Sequence, residues 1–390
     1  MRILWHSNAP WAPTGYGQQT ALFAPRLRAL GHDVAISAFY GLEGGILTWD
    51  GMRVFPTDDT KVGRRHLRTY LGLHGPNALI LTLMDVWVLG ADAVNGLPVA
   101  SWTPVDHDPL PPRVYDYFAR SGATSIAMSR FGEAKLAEAG IGPLYVPHGI
   151  DTAAFTPHAE RDAVRELMHV PVDAFVIGMV ANNQGDTPPR KAFPQVFQAF
   201  AAFARKHDDA WLYLHCDLLG VNMGLNLVAL AEVCGIPADR IAYTDPKLLH
   251  LGVKPDRLAA IYSTFDVLAN PSYGEGFGIP IVEAQACGVP VIVTDHTAMP
   301  ELCGAGWLVN GDPWYDHTHG AFFRCPSIAE IYDAFEEAYK KPSGLSEKAR
   351  AFALAYDADR VTAEHWVPAL AELARKYEPA EIKIRELVAG

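Results

Sequence analysis

The chain has 390 residues, 49% of them hydrophobic and 19% charged, with a formal net charge of -12. That balance excludes a disordered chain and supplies apolar side chains for two or three domain cores. The acidic field argues against general binding to nucleic acid or anionic lipid, so any phosphate-handling site has to gather its lysines and arginines locally.

The chain begins MRILWHSNAP, a short apolar run that passes straight into Asn and Pro and so lacks the apolar core of a signal peptide. Apolar runs then recur at 2–7, 33–39, 78–83, 98–102 and 124–129, the first followed by the helical pattern QQTALFAPRLRALG. Runs rich in Val, Ile and Leu without polar alternation predict strands buried on both faces, hence a parallel sheet sandwiched by helices. YVPHGIDTAAFTP (145–157) reads as a linker, after which the alternation restarts. Strands are expected at 174–181, 211–215, 240–244, 265–270 and 289–295, and helices at 193–206, 224–234, 256–263 and 280–287. Helical periodicity continues at 327–340, 344–355 and 359–377. The fold class is therefore α/β, with two Rossmann-like parallel-sheet domains facing across a cleft. The boundaries are residues 1–152 and 153–369, with a last helix at about 370–390 packing back on the first domain. Five scattered cysteines form no C-x-x-C pair, which excludes a zinc knuckle or disulfide framework. No run is long enough to span a bilayer, so a cytoplasmic location without integral membrane association is expected.

Ligands of open parallel sheets collect beyond the carboxyl ends of the strands, which decides how each motif is read. TGYGQQT puts Gly15 and Gly17 between the first strand and its helix, but Thr20 stands where a dinucleotide fingerprint needs a third glycine. The second strand ends in Ala38, Phe39 and Tyr40 rather than a ribose-binding acid, so NAD binding is disfavoured. SWTPVDHDPLPP places Asp106, His107 and Asp108 after the strand at 98–102. A metal-binding D-x-D reading of Asp106 and Asp108 is set aside because three-letter matches are cheap and the architecture around it differs; no metal site and no cofactor are assigned. NNQGDTPPRKAFPQVF carries Arg190 and Lys191 past a strand end, where adjacent cations can neutralise a diphosphate and the charge that develops as it leaves.

YGEGFGIPIVEAQACG holds Glu275 and Glu283 with seven residues between them. Pro280 near the first position and Gly288 past the end mark a helix, with Glu283 expected in its first turn. Gly276 and Gly278 let backbone N–H groups approach a ligand, and a helix N-terminus favours an anion. The glutamates would repel phosphate but accept hydrogen bonds from hydroxyls. A diphosphate with a polyol at each end, as in a nucleotide-sugar, suits that layout, with Glu275 on the sugar and Glu283 on the ribose.

EGFGIPIVEA resembles the Glu, seven residues, Glu signature of retaining glycosyltransferases of family four, which have the GT-B fold, and YVPHGIDTAAF resembles that family's interdomain V-P-N-G-V-D segment with His148 in place of Asn. The resemblance covers most of the chain. It implies sugar transfer from a UDP- or GDP-sugar to an acceptor hydroxyl on a glycan, lipid, small molecule or modified DNA base. By that likeness Glu275, Arg190, Lys191 and His107 are catalytic, and Gly15, Gly17, Gly276, Phe277, Gly278, Ile279 and Glu283 bind the donor. The departing phosphate oxygen would take the acceptor proton in a front-face attack. Asn182 and Asn183 stand where many members place the arginine, and Ala192 where they place glycine after the lysine. A nucleotide-sugar epimerase and a catalytically silent nucleotide-sugar binder are the competing readings.

Overall fold

In the computed structural model, which describes residues 1–185, 187–221 and 223–377, every apolar run singled out in the sequence becomes a strand of one of two parallel sheets. The first sheet contains β1 (Arg2–Asn8), β2 (Asp33–Tyr40), β3 (Leu47–Trp49), β4 (Met52–Phe55), β5 (Leu79–Leu83), β6 (Val99–Thr103), β7 (Thr124–Ala127) and β8 (Leu144–Tyr145). Its order is β3-β4-β2-β1-β5-β6-β7-β8, parallel throughout except for the β3 edge. Five consecutive buried residues in β5 and again in β6 reflect helices on both faces.

The second sheet contains β9 (Phe175–Val180), β10 (Ala210–His215), β11 (Ile241–Tyr243), β12 (Val267–Asn270), β13 (Val291–Thr294) and β14 (Gly306–Val309), in the order β11-β10-β9-β12-β13-β14. A two-stranded antiparallel hairpin, β15 (Gly311–Asp316) and β16 (Ala321–Pro326), follows. The sequence reading did not anticipate β3, β4, β8, β14 or this hairpin. All are short or half-exposed, so they lack the unbroken apolar run that marks a central strand.

In both sheets the chain winds outward one way and then returns to wind the other. The reversal falls between β1 and β5 in the first sheet and between β9 and β12 in the second. Loops leaving the carboxyl ends of those strands diverge to opposite faces and open a crevice, which is where an open α/β sheet binds its ligand. The fold therefore singles out the segments after β1, β5, β9 and β12.

The end of the chain crosses back to the first sheet. Ile150 pairs with Asp357 where the outgoing and returning segments run side by side. A π-helical stretch, Thr362–Trp366, then leads into helix Val367–Tyr377. Trp366 is buried against Trp102, Trp5 and Phe23 at ring-centroid distances of 4.9, 5.8 and 5.9 Å, and the Tyr377 hydroxyl donates to the Val99 carbonyl at 2.8 Å. Residues 378–390, the remainder of the expected last helix, lie outside the described residues. Trp5 and Trp102 are thus core residues.

Replacing Trp366 with Ala empties the centre of this aromatic cluster and is expected to cost about 3–5 kcal/mol. A lowered melting temperature in calorimetry checks it; an unchanged melt would show that the returning helix does not hold the first lobe.

Candidate active site

The loop after β9 and the loop after β12 meet at the reversal point of the second sheet. Asn183 pins the first: its side-chain amide donates to the carbonyls of Asp217 and Leu225, each at 2.7 Å, and its Oδ1 accepts from Leu225 N–H at 3.0 Å. The Arg190 carbonyl accepts from Tyr273 N–H at 2.8 Å, stitching this loop to the second. Ala192, capping helix Phe193–Ala204, has φ +56°. That left-handed conformation favours glycine and costs an alanine about 1–2 kcal/mol, which accounts for the glycine expected there. Here the methyl group is buried beside Tyr273 and Phe323.

This junction brings Arg190, Lys191 and Glu275 together. Glu275, 6% exposed, accepts from Arg190 Nη1 at 3.0 Å on Oε2, and from Lys191 Nζ and the Ser272 hydroxyl on Oε1, the latter at 2.6 Å. Its backbone N–H donates to Thr297 Oγ1 at 3.0 Å, and Arg190 also donates to the Gly274 carbonyl at 2.7 Å. Burial pushes the Glu275 carboxyl upward, but Lys191 and Arg190 outweigh it and hold the group at about 2. Burial and the neighbouring Arg190 charge lower the Lys191 ammonium. For Arg190, burial is outweighed by Glu275, Asp106 and Asp85, and its pKa rises.

Glu283 lies in the second turn of helix Ile279–Ala286, not the first turn expected, because the helix begins at Ile279 after Gly278 (φ +110°). It is 3% exposed. Tyr262 donates to one oxygen at 2.8 Å and Gln18, from the first lobe, to the other at 3.3 Å. Burial raises its carboxyl to about 7.

The glycines prove to be contact points between lobes. A Cβ on Gly276 would lie 2.3 Å from the Pro104 Cβ, and one on Gly274 2.2 Å from the Asp106 carbonyl oxygen. Gly15 faces Ile279 across the same seam. Gly17 is dictated locally, since a Cβ there would meet the Ala12 carbonyl oxygen at 2.3 Å and its N–H donates to the Thr14 cap at 3.0 Å. Phe277 is buried edge-on to His148, 5.2 Å between centroids.

On the first-lobe wall, His107 Nδ1 faces Asp106 Oδ1 at 2.7 Å and Nε2 faces Asp316 Oδ2, from the hairpin, at 3.2 Å. Asp108 instead pairs with Lys135 at 3.0 Å, and its backbone bridges to Phe322. Asp106 and Asp108 thus serve different partners and form no shared D-x-D site. Beside them Asp85 follows β5, the other strand at the first reversal point, and accepts from the Tyr16 hydroxyl at 3.3 Å. Burial, reinforced by Asp106, raises Asp85 to about 6.

Residues 175–318 match the family model described as Glycosyl transferases group 1. The chain is 30% identical over 222 residues to a D-inositol 3-phosphate glycosyltransferase of Mycolicibacterium smegmatis, a match covering 56% of this chain and 45% of that protein. It thus spans less than half the length of this curated relative. Its structure superposes on sucrose-phosphate synthase of Thermosynechococcus elongatus with a TM-score of 0.75 at 17% identity, covering 96% of this chain and 100% of the other. The fold is GT-B. Anabaena HepE, solved in complex with UDP-glucose, aligns with a TM-score of 0.70 at 18% identity over 95% of this chain and 100% of its own.

Within this GT-B frame Arg190, Lys191 and Glu275 share one cluster, whereas Glu283 sits apart among Tyr262 and Gln18. Asp85, Tyr16, Ser272, Thr297, Asp316 and His319 were not foreseen. Asp85 alone carried a signal, as an acid at the end of the run ALILTL.

Between the unfolded carboxyl value near 4.5 and the folded value near 7, folded Glu283 keeps a proton that the unfolded chain has released, so stability falls as pH rises through that window. Glu283→Gln is expected to raise the melting temperature of the ligand-free protein at about pH 8, with the gain vanishing near pH 4. A gain independent of pH in melting curves would contradict the assignment.

Proposed function

We propose that the protein transfers a sugar from a nucleoside diphosphate to an acceptor hydroxyl, with retention of anomeric configuration. The observation that carries this reading is the meeting of Arg190, Lys191 and Glu275 at the strand-order reversal of the second GT-B sheet. The two cations stabilise the leaving diphosphate, and their fixed positions mean that little reorganisation is needed as its charge develops. Glu275 holds the cations in place and accepts from the sugar hydroxyls. The helix Ile279–Ala286 presents its amino end, with Gly278, toward the phosphates. Glu283 exchanges Gln18 for the ribose hydroxyls when the lobes part to admit the donor.

In this reading residues 153–369 form the donor side. Residues 1–152 form the acceptor side, with the returning helix packed on them. A front-face attack, in which the departing phosphate oxygen takes the acceptor proton, needs no carboxylate nucleophile. HepE was solved with UDP-glucose, which favours a UDP-sugar as donor over a GDP-sugar. The name of the curated relative favours a phosphorylated cyclitol as the acceptor class. His107 closes the wall of the site between Asp106 and Asp316. No helix among the described residues is long and apolar enough to cross a membrane.

Glu275→Gln keeps the shape but removes the charge that holds both cations, and is expected to lower kcat by about 10²–10³-fold and to lower the melting temperature as well, because two cations lose their counter-charge. Near-normal turnover in a donor-consumption assay would sink the reading. Lys191→Ala is expected to weaken UDP binding about tenfold or more, measured by calorimetry. A thermal-shift panel of UDP- and GDP-sugars reads out the donor directly, because a ligand of the folded state raises its melting temperature.

A further inference from the structure

The hairpin β15–β16 reaches from the second lobe to the first beside the wall that carries Asp106 and His107. Asp108 exchanges both backbone hydrogen bonds with Phe322, each at 3.0 Å. The His107 ring stacks on Phe323 with centroids 3.7 Å apart, and His319 in the hairpin turn packs edge-on against Trp87 at 5.0 Å. At the centre of this contact stand His107 from the first lobe and Asp316 and His319 from the hairpin, their donor atoms all within 4.8 Å of one another. His107 is 1% exposed and Asp316 6% exposed.

The hydrogen-bond chemistry of the cluster is unusual. His107 faces a carboxylate oxygen at each nitrogen, and Asp316 Oδ2 also faces His319 Nδ1 at 2.6 Å. A carboxylate only accepts, so a ring protonated on both nitrogens donates to each side, whereas a ring with one N–H donates to one carboxylate and presents a lone pair toward the other, the place a cation would fill. With the proton on Nδ1, bound by Asp106, the ring turns its lone pair toward Asp316 and His319. An outer carboxylate that fixes the tautomer and orientation of a histidine is the usual support of a metal-binding imidazole. A tetrahedral ion with bonds of about 2 Å needs donors about 3.3 Å apart. The observed pairs, 3.2 Å, 2.6 Å and up to 4.8 Å, bracket that spacing.

We propose that His107, Asp316 and His319 bind a divalent transition-metal ion, zinc by the fit of two imidazoles and one carboxylate, which latches the hairpin of the second lobe onto the first. The fourth position goes to water. Calcium and magnesium fit poorly because they take oxygen ligands. Because the donors come from both lobes, the ion favours the closed arrangement and couples cleft opening to metal release.

The test uses the full chain, stripped with a chelator and titrated with zinc chloride against a chromophoric chelator. About one equivalent is expected to bind, with a higher melting temperature in the ion's presence. His319→Gln and Asp316→Asn are expected to weaken uptake at least about tenfold while melting, in chelator, close to the stripped wild type. Should either variant misfold, cobalt(II) on the wild type decides. A visible spectrum of a four-coordinate nitrogen and oxygen site supports the proposal, and a thiolate charge-transfer band, placing the ion on cysteine, overturns it. Absence of zinc uptake by the wild type, or equal uptake by well-folded variants, also overturns it.

Discussion

The structure depends on a buried ion cluster that no one of its members could support alone. Arg190 and Lys191 are adjacent like charges at the sheet reversal, Lys191 largely buried and Arg190 partly exposed. Without Glu275 their mutual repulsion and the desolvation of Lys191 would go uncompensated. Glu275 in turn is held ionised, with its carboxyl near 2, only because both cations and Ser272 reach it. A buried charge pair is weak evidence of net stability, since an apolar substitute is often as stable. A triad placed beyond the carboxyl ends of β9 and β12 is better explained by what it can bind than by what it holds together.

That placement follows from topology. The reversal of strand order sends the loops after β9 and β12 to opposite faces, and the residues that first leave each strand meet over the gap. The first sheet repeats the arrangement with different chemistry. Its reversal presents Asp85 after β5 and the Thr14-capped turn after β1, and its next loop presents Asp106. Arg190 of the second lobe therefore faces Asp85 and Asp106 of the first across the cleft. Gly274 and Gly276 allow the opposing backbones to approach where any side chain would hold them apart.

Much of this was legible in the sequence because central parallel strands are buried on both faces and betray themselves as unbroken apolar runs. The eight residues of helix Ile279–Ala286 were marked by Pro280 and Gly288, and the strand-end rule put Arg190, Lys191 and Glu275 on one side of the cleft. What was not legible were contacts between segments far apart in the chain. Nothing near Glu283 in sequence announces Gln18, 265 residues away. Gly276 reads as a ligand-facing glycine until Pro104 is seen against it. The hairpin escaped because its first strand, Gly311–Asp316, is largely exposed and has no apolar run, and its value lies in pairing with Asp108.

The opposed signs of the two walls bear on how such a cleft would orient its ligand. In the proposed reaction a diphosphate entering between the lobes would be attracted to Arg190 and Lys191 and repelled by Asp85 and Asp106, so the field would sort the ends of a nucleotide-sugar before any hydroxyl is recognised. Asp85, raised to about 6 by burial and by Asp106, is the group on that wall whose charge would respond most to a nearby ligand. An approaching diphosphate raises it further and favours the neutral acid, which can donate as well as accept. In the proposed reaction the acidic wall would thereby yield to the donor, while Glu275, pinned by its two cations, would stay charged. Two carboxylates within one cleft would then do different work because their neighbours differ, as their environments require.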